Sequence, residues 1–136
     1  MGLQASGGAT GRGYAPWMPR VLLVDDDPAM LRLLEVNFRL EGFETSTVSH
    51  GEEAIAAIRR DPPDVVVLDV MLPGIDGLEV HRRMLADPAL ADVPVVFLTG
   101  RAVDNADALD GVTFVSKPFD PAVLVGLVRA RTGAQP

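Results

Sequence analysis

The chain has 136 residues, no cysteine and a formal net charge of −7. That length suits one domain with a core of its own, and the absence of cysteine excludes disulfides and thiolate metal sites, as suits a reducing cytoplasm. The acidic balance argues against direct contact with nucleic acid, which needs a basic patch, and no apolar run approaches the roughly 18 residues that would make the membrane a partner.

Residues 1–19 are rich in Gly and Ala without periodicity and read as a flexible N-terminal arm. The arm has no apolar centre of the secretory kind, although Met1-Gly2 with Ser6 fits the short N-myristoylation pattern. Its segment GGATGRG (7–13) lacks the flanking strand and helix that a phosphate-cradling loop requires. From Arg20 the pattern changes. Arg20 to Val24 is an apolar strand, and Pro28 to Leu40 sets Met30, Leu31, Leu34 and Phe38 at helical spacing. Phe43 to Val48 is a short strand, Glu52 to Arg60 a helix stopped by Asp61-Pro62-Pro63, and Val65 to Leu68 a strand. Gly77 to Ala86 is a helix capped by Asp76, and Val95 to Leu98 and Val112 to Val115 are strands. Pro121 to Arg131 is the last helix. Asp27-Pro28 and Asp120-Pro121 each place a capping acid before a proline at the first helical position.

Strand and helix thus alternate five times, and continuous apolar strands between helices imply a doubly wound α/β domain with a five-stranded parallel sheet. The fourth helix is the exception: Arg101 to Asp110 (RAVDNADALD) carries only Val103 and Leu109 as sizeable apolar residues and is expected to be short or irregular. Residues 20–132 form the domain on this pattern and 133–136 a tail. The end Arg129 to Pro136 reads either as a natural terminus or as the start of a linker.

Ligands of such sheets bind beyond the carboxyl ends of the strands, so the informative residues are those at which each apolar run stops. Strand one ends in Asp25-Asp26-Asp27, strand three in Asp69, strand four in Thr99-Gly100 and strand five in Lys117-Pro118. Strand two ends in nothing distinctive, as befits an edge. Lys117 is the one lysine among twelve basic residues, and a compact point charge suits a single phosphoryl oxygen. Two carboxylates at about 5 Å repel by roughly 3 kcal/mol at an effective dielectric of 20. A hard divalent ion such as Mg²⁺ offsets this and leaves open positions for phosphoryl oxygens. Asp69 is then the attacking group, with Lys117 and Thr99 holding the other oxygens. Asp27 reads as a helix cap, and His50 and His81 as surface residues without a catalytic or metal role.

The segments VLLVDDDPAMLRLLEVNFRLEGF, VVVLDVMLPGIDGLEV, VPVVFLTG and TFVSKPF, in that order, resemble the receiver domains of response regulators in bacterial two-component systems, the CheY-like family. The resemblance covers Arg20 to Thr132. It implies a flavodoxin-like strand order 2-1-3-4-5 and a phosphorylation switch in which Asp69 accepts a phosphoryl group from a histidine kinase or phosphotransfer protein. Asp26 resembles the direct metal-ligating acid, Asp25 the acid acting largely through water, and Met71 the residue whose backbone carbonyl reaches the metal. Thr99 is the switch hydroxyl, Phe114 the aromatic switch residue, and Lys117 the phosphate's ion-pair partner, joined to Pro118 by a cis bond. Phosphorylated receivers signal to an output domain or downstream protein, and a homodimer would use the face of the fourth helix, fifth strand and fifth helix. The domain itself promotes its phosphorylation and slow autodephosphorylation and is not otherwise an enzyme.

Three departures from the family pattern stand out. The stretch from Thr99 to Lys117 is about one helical turn short, Gly100 replaces the usual alanine, and Met71 and Arg101 occupy the variable positions beside the phosphate, where neither residue can act as a base. Two alternatives lead elsewhere. A degenerate receiver would work as an interaction module without phosphorylation, but the set Asp25, Asp26, Asp69, Thr99 and Lys117 is complete. A haloacid-dehalogenase-type Mg²⁺ phosphatase would also use a strand-ending Asp, a Thr and a Lys. It needs a late acidic pair on a strand, whereas only Asp120 follows Lys117, and Asp69 would have no task.

Overall fold

A computed structural model describes residues 18–100 and 112–132. Five strands, β1 (Arg20–Val24), β2 (Glu44–Val48), β3 (Val65–Asp69), β4 (Val95–Thr99) and β5 (Thr113–Ser116), pair in parallel in the order β2-β1-β3-β4-β5. Four helices connect or flank them: α1 (Pro28–Leu40), α2 (Gly51–Arg60), α3 (Gly77–Leu85) and α4 (Pro121–Thr132), the last being the fifth of the sequence pattern. The expected doubly wound fold and strand order are both present. The helix expected over 101–110, the arm through residue 17 and the tail 133–136 lie outside the described residues.

The central strands β1, β3 and β4 divide their side chains between two cores, because successive residues point to opposite faces. Leu22, Val24, Val66, Leu68, Val95 and Phe97 face α2 and α3, where Ala54, Ile55, Ile58, Val80 and Met84 close over them. Val21, Leu23, Val65, Val67, Val96 and Leu98 face α1 and α4 and pack on Leu34, Phe38, Leu124, Val125 and Val128. In β1, β3 and β4, where both faces are covered, polar residues are confined to the strand ends, whereas the edge strand β2 is polar along its length.

The caps fall where the sequence puts them. The side chain of Asp27 accepts from Ala29 N (2.9 Å), that of Asp76 from Glu79 N (2.9 Å) and that of Asp120 from Ala122 N (2.9 Å). Strand β2 starts at Glu44 rather than Phe43, whose buried ring instead meets Phe38 edge-on at 5.0 Å. Pro19, at the end of the expected arm, is buried, and its carbonyl accepts from Glu44 N (2.9 Å).

One expectation is corrected. His81 is not a surface residue: it is buried in α3 and meets the Phe97 ring edge-on at 5.5 Å. Its spacing gives the reason, for Gly77, Val80, His81 and Met84 share the inner stripe of α3. His50 is exposed, as expected.

Candidate functional site

The carboxyl edge of the sheet gathers the strand-end groups. Asp25 follows β1, Asp69 ends β3, Thr99 ends β4 and Lys117 follows β5. Asp25, Asp69 and Thr99 are buried, whereas Asp26 is exposed. One ligand oxygen from each of Asp25, Asp26 and Asp69 lies within 4.8 Å of the others. Lys117 spans two of them, with Nζ 3.2 Å from Asp25 Oδ2 and 3.5 Å from Asp69 Oδ2. Its backbone N–H donates to the Thr99 carbonyl (2.7 Å), which locks the ends of β4 and β5 together.

The three acids are differently committed. Asp25 Oδ1 accepts from Asp27 N (2.9 Å) and Oδ2 from Lys117, so both oxygens are engaged. Asp69 Oδ1 accepts from Met71 N (3.2 Å). Among the described residues, no hydrogen bond or ion pair engages the Asp26 carboxylate. Burial pushes the Asp69 carboxyl above the ordinary carboxylate range and the Asp25 charge adds to this, while Lys117 and the Met71 N–H oppose it without cancelling it. Burial also works to discharge Lys117, but Asp25 and Asp69 outweigh it and hold its pKa above the ordinary lysine value.

The arrangement therefore has a cation deficit, with three carboxylates against one ammonium. All its donors are hard oxygens, one carboxylate faces solvent, and the group is compact enough for a single ion. Asp25, Asp26 and Asp69 fit Mg²⁺, which takes a few carboxylates and keeps the rest of its shell as water or phosphoryl oxygen.

The remaining site residues lie nearby. Met71, two residues past Asp69, has an exposed side chain. Phe114 is half-buried in β5 and stacks on Phe97 of β4, with centroids 5.0 Å apart and ring planes at 17°. Phe97 and Thr99 project from the same face of β4, so the hydroxyl and the aromatic stack share one strand. The Lys117–Pro118 bond is cis. Arg101 lies outside the described residues.

Residues 21–129 match the model of the response regulator receiver domain. The chain is 43% identical over 117 residues to the DNA-binding response regulator MtrA of Mycolicibacterium smegmatis, an alignment covering 82% of this chain and 50% of that protein. It is 41% identical over 119 residues to the response regulator PleD of Caulobacter vibrioides, with 83% and 26% covered. Among solved structures, it is similar to the receiver domain of a sensor histidine kinase from Pseudomonas aeruginosa PAO1, a structure with magnesium coordinated in its active site cleft. There the TM-score is 0.77 and the identity 25%, over 85% of this chain and 98% of the other. The chain spans half or less of the length of these curated relatives. No described helix is long and apolar enough to cross a membrane.

Proposed function

The chain belongs to the response regulator receiver domain family, and from that premise we propose that it is a phosphorylation switch whose acceptor is the Asp69 carboxylate. The observation that carries this reading is the position of Lys117 Nζ, 3.2 Å from Asp25 and 3.5 Å from Asp69, beside a third acid and the Thr99 strand end. In the transfer, an Asp69 carboxylate oxygen forms a bond to phosphorus as the bond to a kinase histidine nitrogen breaks, and the imidazole leaves with its electron pair. Lys117 pairs with one phosphoryl oxygen and the Thr99 hydroxyl donates to another. Asp26, Asp69 and the Met71 carbonyl would hold Mg²⁺, with Asp25 acting through water, and the ion would supply charge neutralisation of the phosphoryl group. The uncommitted Asp26 carboxylate supports its assignment as the direct ligand, and the two engaged oxygens of Asp25 support its indirect one.

The signal is a population shift. A phosphoryl group favours the active conformer only through contacts it gains there, here those of Thr99 and Lys117. Phe114, stacked two residues along β4 from Thr99, carries the change toward the surface of β5 and α4. The domain of residues 20–132 receives phosphate from a histidine kinase or phosphotransfer protein and acts on an output domain, a downstream protein or a second copy through the face that includes β5 and α4. Met71 and Arg101 shield the acyl phosphate from water, because Met is apolar and neither residue is a base. Faster autodephosphorylation of Met71→Asn is expected; a rate no higher than wild type removes the shielding role.

Incubation with acetyl phosphate and Mg²⁺ followed by intact mass tests the assignment. One added phosphoryl group is expected, dependent on Mg²⁺ and absent in Asp69→Asn. No addition to the wild type overturns it in favour of the degenerate receiver. Turnover of small phosphomonoesters favours the phosphatase instead.

A further inference from the structure

The loop after Asp69 is short and tightly held, and glycines make its closest contacts with the flanking helices. Seven residues, 70–76, run from the end of β3 to α3. Leu72 is buried in the core beside α2 and α3, and Gly74 turns the chain at φ +75°, a conformation that favours glycine. The loop closes where Gly77 N donates to the Val70 carbonyl at 2.9 Å. At that closure the first residue of α3 lies directly on the peptide of Asp69. A methyl group added to Gly77 would sit 2.3 Å from the Asp69 carbonyl oxygen and 3.0 Å from Val70 Cα. These neighbours are backbone and have no rotamer by which to yield. A second bare contact lies farther out: a methyl added to Gly51, which opens α2, would meet Ile75 Cγ1 at 2.5 Å and the Ile75 carbonyl oxygen at 2.7 Å.

Resting on the reading of the acidic cluster as a Mg²⁺ and phosphoryl site, we propose that Gly77 is a positioning residue for Asp69. By bringing the start of α3 against the Asp69 peptide, it fixes where the carboxylate stands relative to Asp25, Asp26 and Lys117. The same contact sets the path of the chain through Met71, whose N–H donates to Asp69 Oδ1 (3.2 Å) and whose carbonyl is an assigned ligand. Any side chain at position 77 must push α3 away or tilt the end of β3, and both moves shift the acceptor. Gly51 provides a comparison inside the same molecule, since an added methyl there also meets a backbone carbonyl, but that of Ile75, six residues beyond Asp69, and otherwise only the side chains of Ile75 and Val80. A residue that merely stabilises the fold would behave like Gly51; one that positions the acceptor would not.

The test is Mg²⁺ binding without phosphodonor, by calorimetry, together with thermal unfolding, for wild type, Gly77→Ala and Gly51→Ala. Both variants are expected to lose stability. Gly77→Ala is expected to weaken Mg²⁺ about tenfold or more, the range seen when support of metal ligands is removed, and Gly51→Ala by less than about twofold. A folded Gly77→Ala with wild-type Mg²⁺ affinity overturns the proposal, as does an equal loss in Gly51→Ala. Should Gly77→Ala not fold, Asp76→Ala decides. It removes the acceptor that caps α3 (Glu79 N, 2.9 Å) and frees the first turn to recede without adding an atom. About threefold weaker Mg²⁺ is expected, and unchanged affinity overturns the proposal. A wild-type protein that binds no Mg²⁺ removes the reading of the site itself, and the role of Gly77 with it.

Discussion

Two clusters of like composition stand at opposite ends of this sheet, each with three carboxylates around one cation, and only one of them has the make-up of the proposed phosphoryl site. At the amino edge, the Arg20 guanidinium binds Asp61 with both arms (2.9 and 2.5 Å), its backbone N–H donates to Asp64 Oδ2 (2.7 Å), and Glu44 lies 3.8 Å away. At the carboxyl edge, Lys117 stretches between Asp25 and Asp69 while Asp26 stands apart. The difference is burial and geometry. The Asp61 and Glu44 side chains are 45% and 28% exposed, so water screens their mutual repulsion and a forked cation completes the set. Those of Asp25 and Asp69 are 1% and 6% exposed, and a point charge cannot satisfy both. One cluster is closed and structural; the other holds a stored demand for positive charge.

The largest effect that separates the two ends is metal stabilisation. Mg²⁺ at a hundredfold excess over its Kd should raise unfolding free energy by about 2.7 kcal/mol, read from urea midpoints against EDTA. Asp26→Asn should abolish the gain and Asp61→Asn should keep it; a gain that survives Asp26→Asn breaks the distinction. Next come reciprocal cation swaps. Lys117→Arg retains the charge but should slow phosphoryl uptake by about tenfold or more, because the fork does not fit between the acids. Arg20→Lys should cost about 1 kcal/mol of stability through loss of the two-armed pair and leave uptake unchanged.

Removing an acid should act with opposite sign at the two ends. The folded Asp69 carboxyl titrates above its unfolded value of 3.8, chiefly because of burial. The native state therefore binds more protons than the unfolded chain just above pH 3.8, and stability declines as pH rises through the folded pKa. Asp69→Asn should thus stabilise the metal-free protein at neutral pH, a gain that vanishes below about pH 4, whereas Asp61→Asn should lose about 1 kcal/mol at neutral pH. Destabilisation by Asp69→Asn in EDTA would contradict the stored repulsion.

The smallest effect belongs to neither end. Burial lowers the pKa of His81 below 6.5, so the unfolded chain takes up protons first as pH falls. Its contribution is fully present above about pH 6.5 and is lost as pH drops toward the folded pKa. His81→Leu should flatten the stability profile in that window without altering phosphoryl uptake.

The cluster proposed to be reactive is more legible in the sequence than its structural counterpart. Parallel strands covered on both faces read as unbroken apolar runs, so Asp25, Asp69, Thr99 and Lys117 announce themselves by where the runs stop. The Arg20 cluster gives no such signal, because its partners lie in turns and an edge strand and meet only when the sheet assembles. The polarity of His81 masks its register, although Gly77, Val80 and Met84 trace the inner stripe of α3. The contacts of Gly77 with Asp69 and Gly51 with Ile75 left no trace, since a side chain that must be absent has no chemistry to read. The segment 101–110, the weakest part of the pattern, lies outside the described residues.

The central claim is that the phosphoryl group resides on Asp69, and it is tested most directly by locating the acyl phosphate. After reaction with acetyl phosphate and Mg²⁺, borohydride reduces a phosphorylated aspartate to homoserine, and peptide mass spectrometry finds the residue. Homoserine at position 69 alone is the predicted result. Homoserine at 25 or 26, or none in a protein that has gained a phosphoryl group, would contradict the assignment.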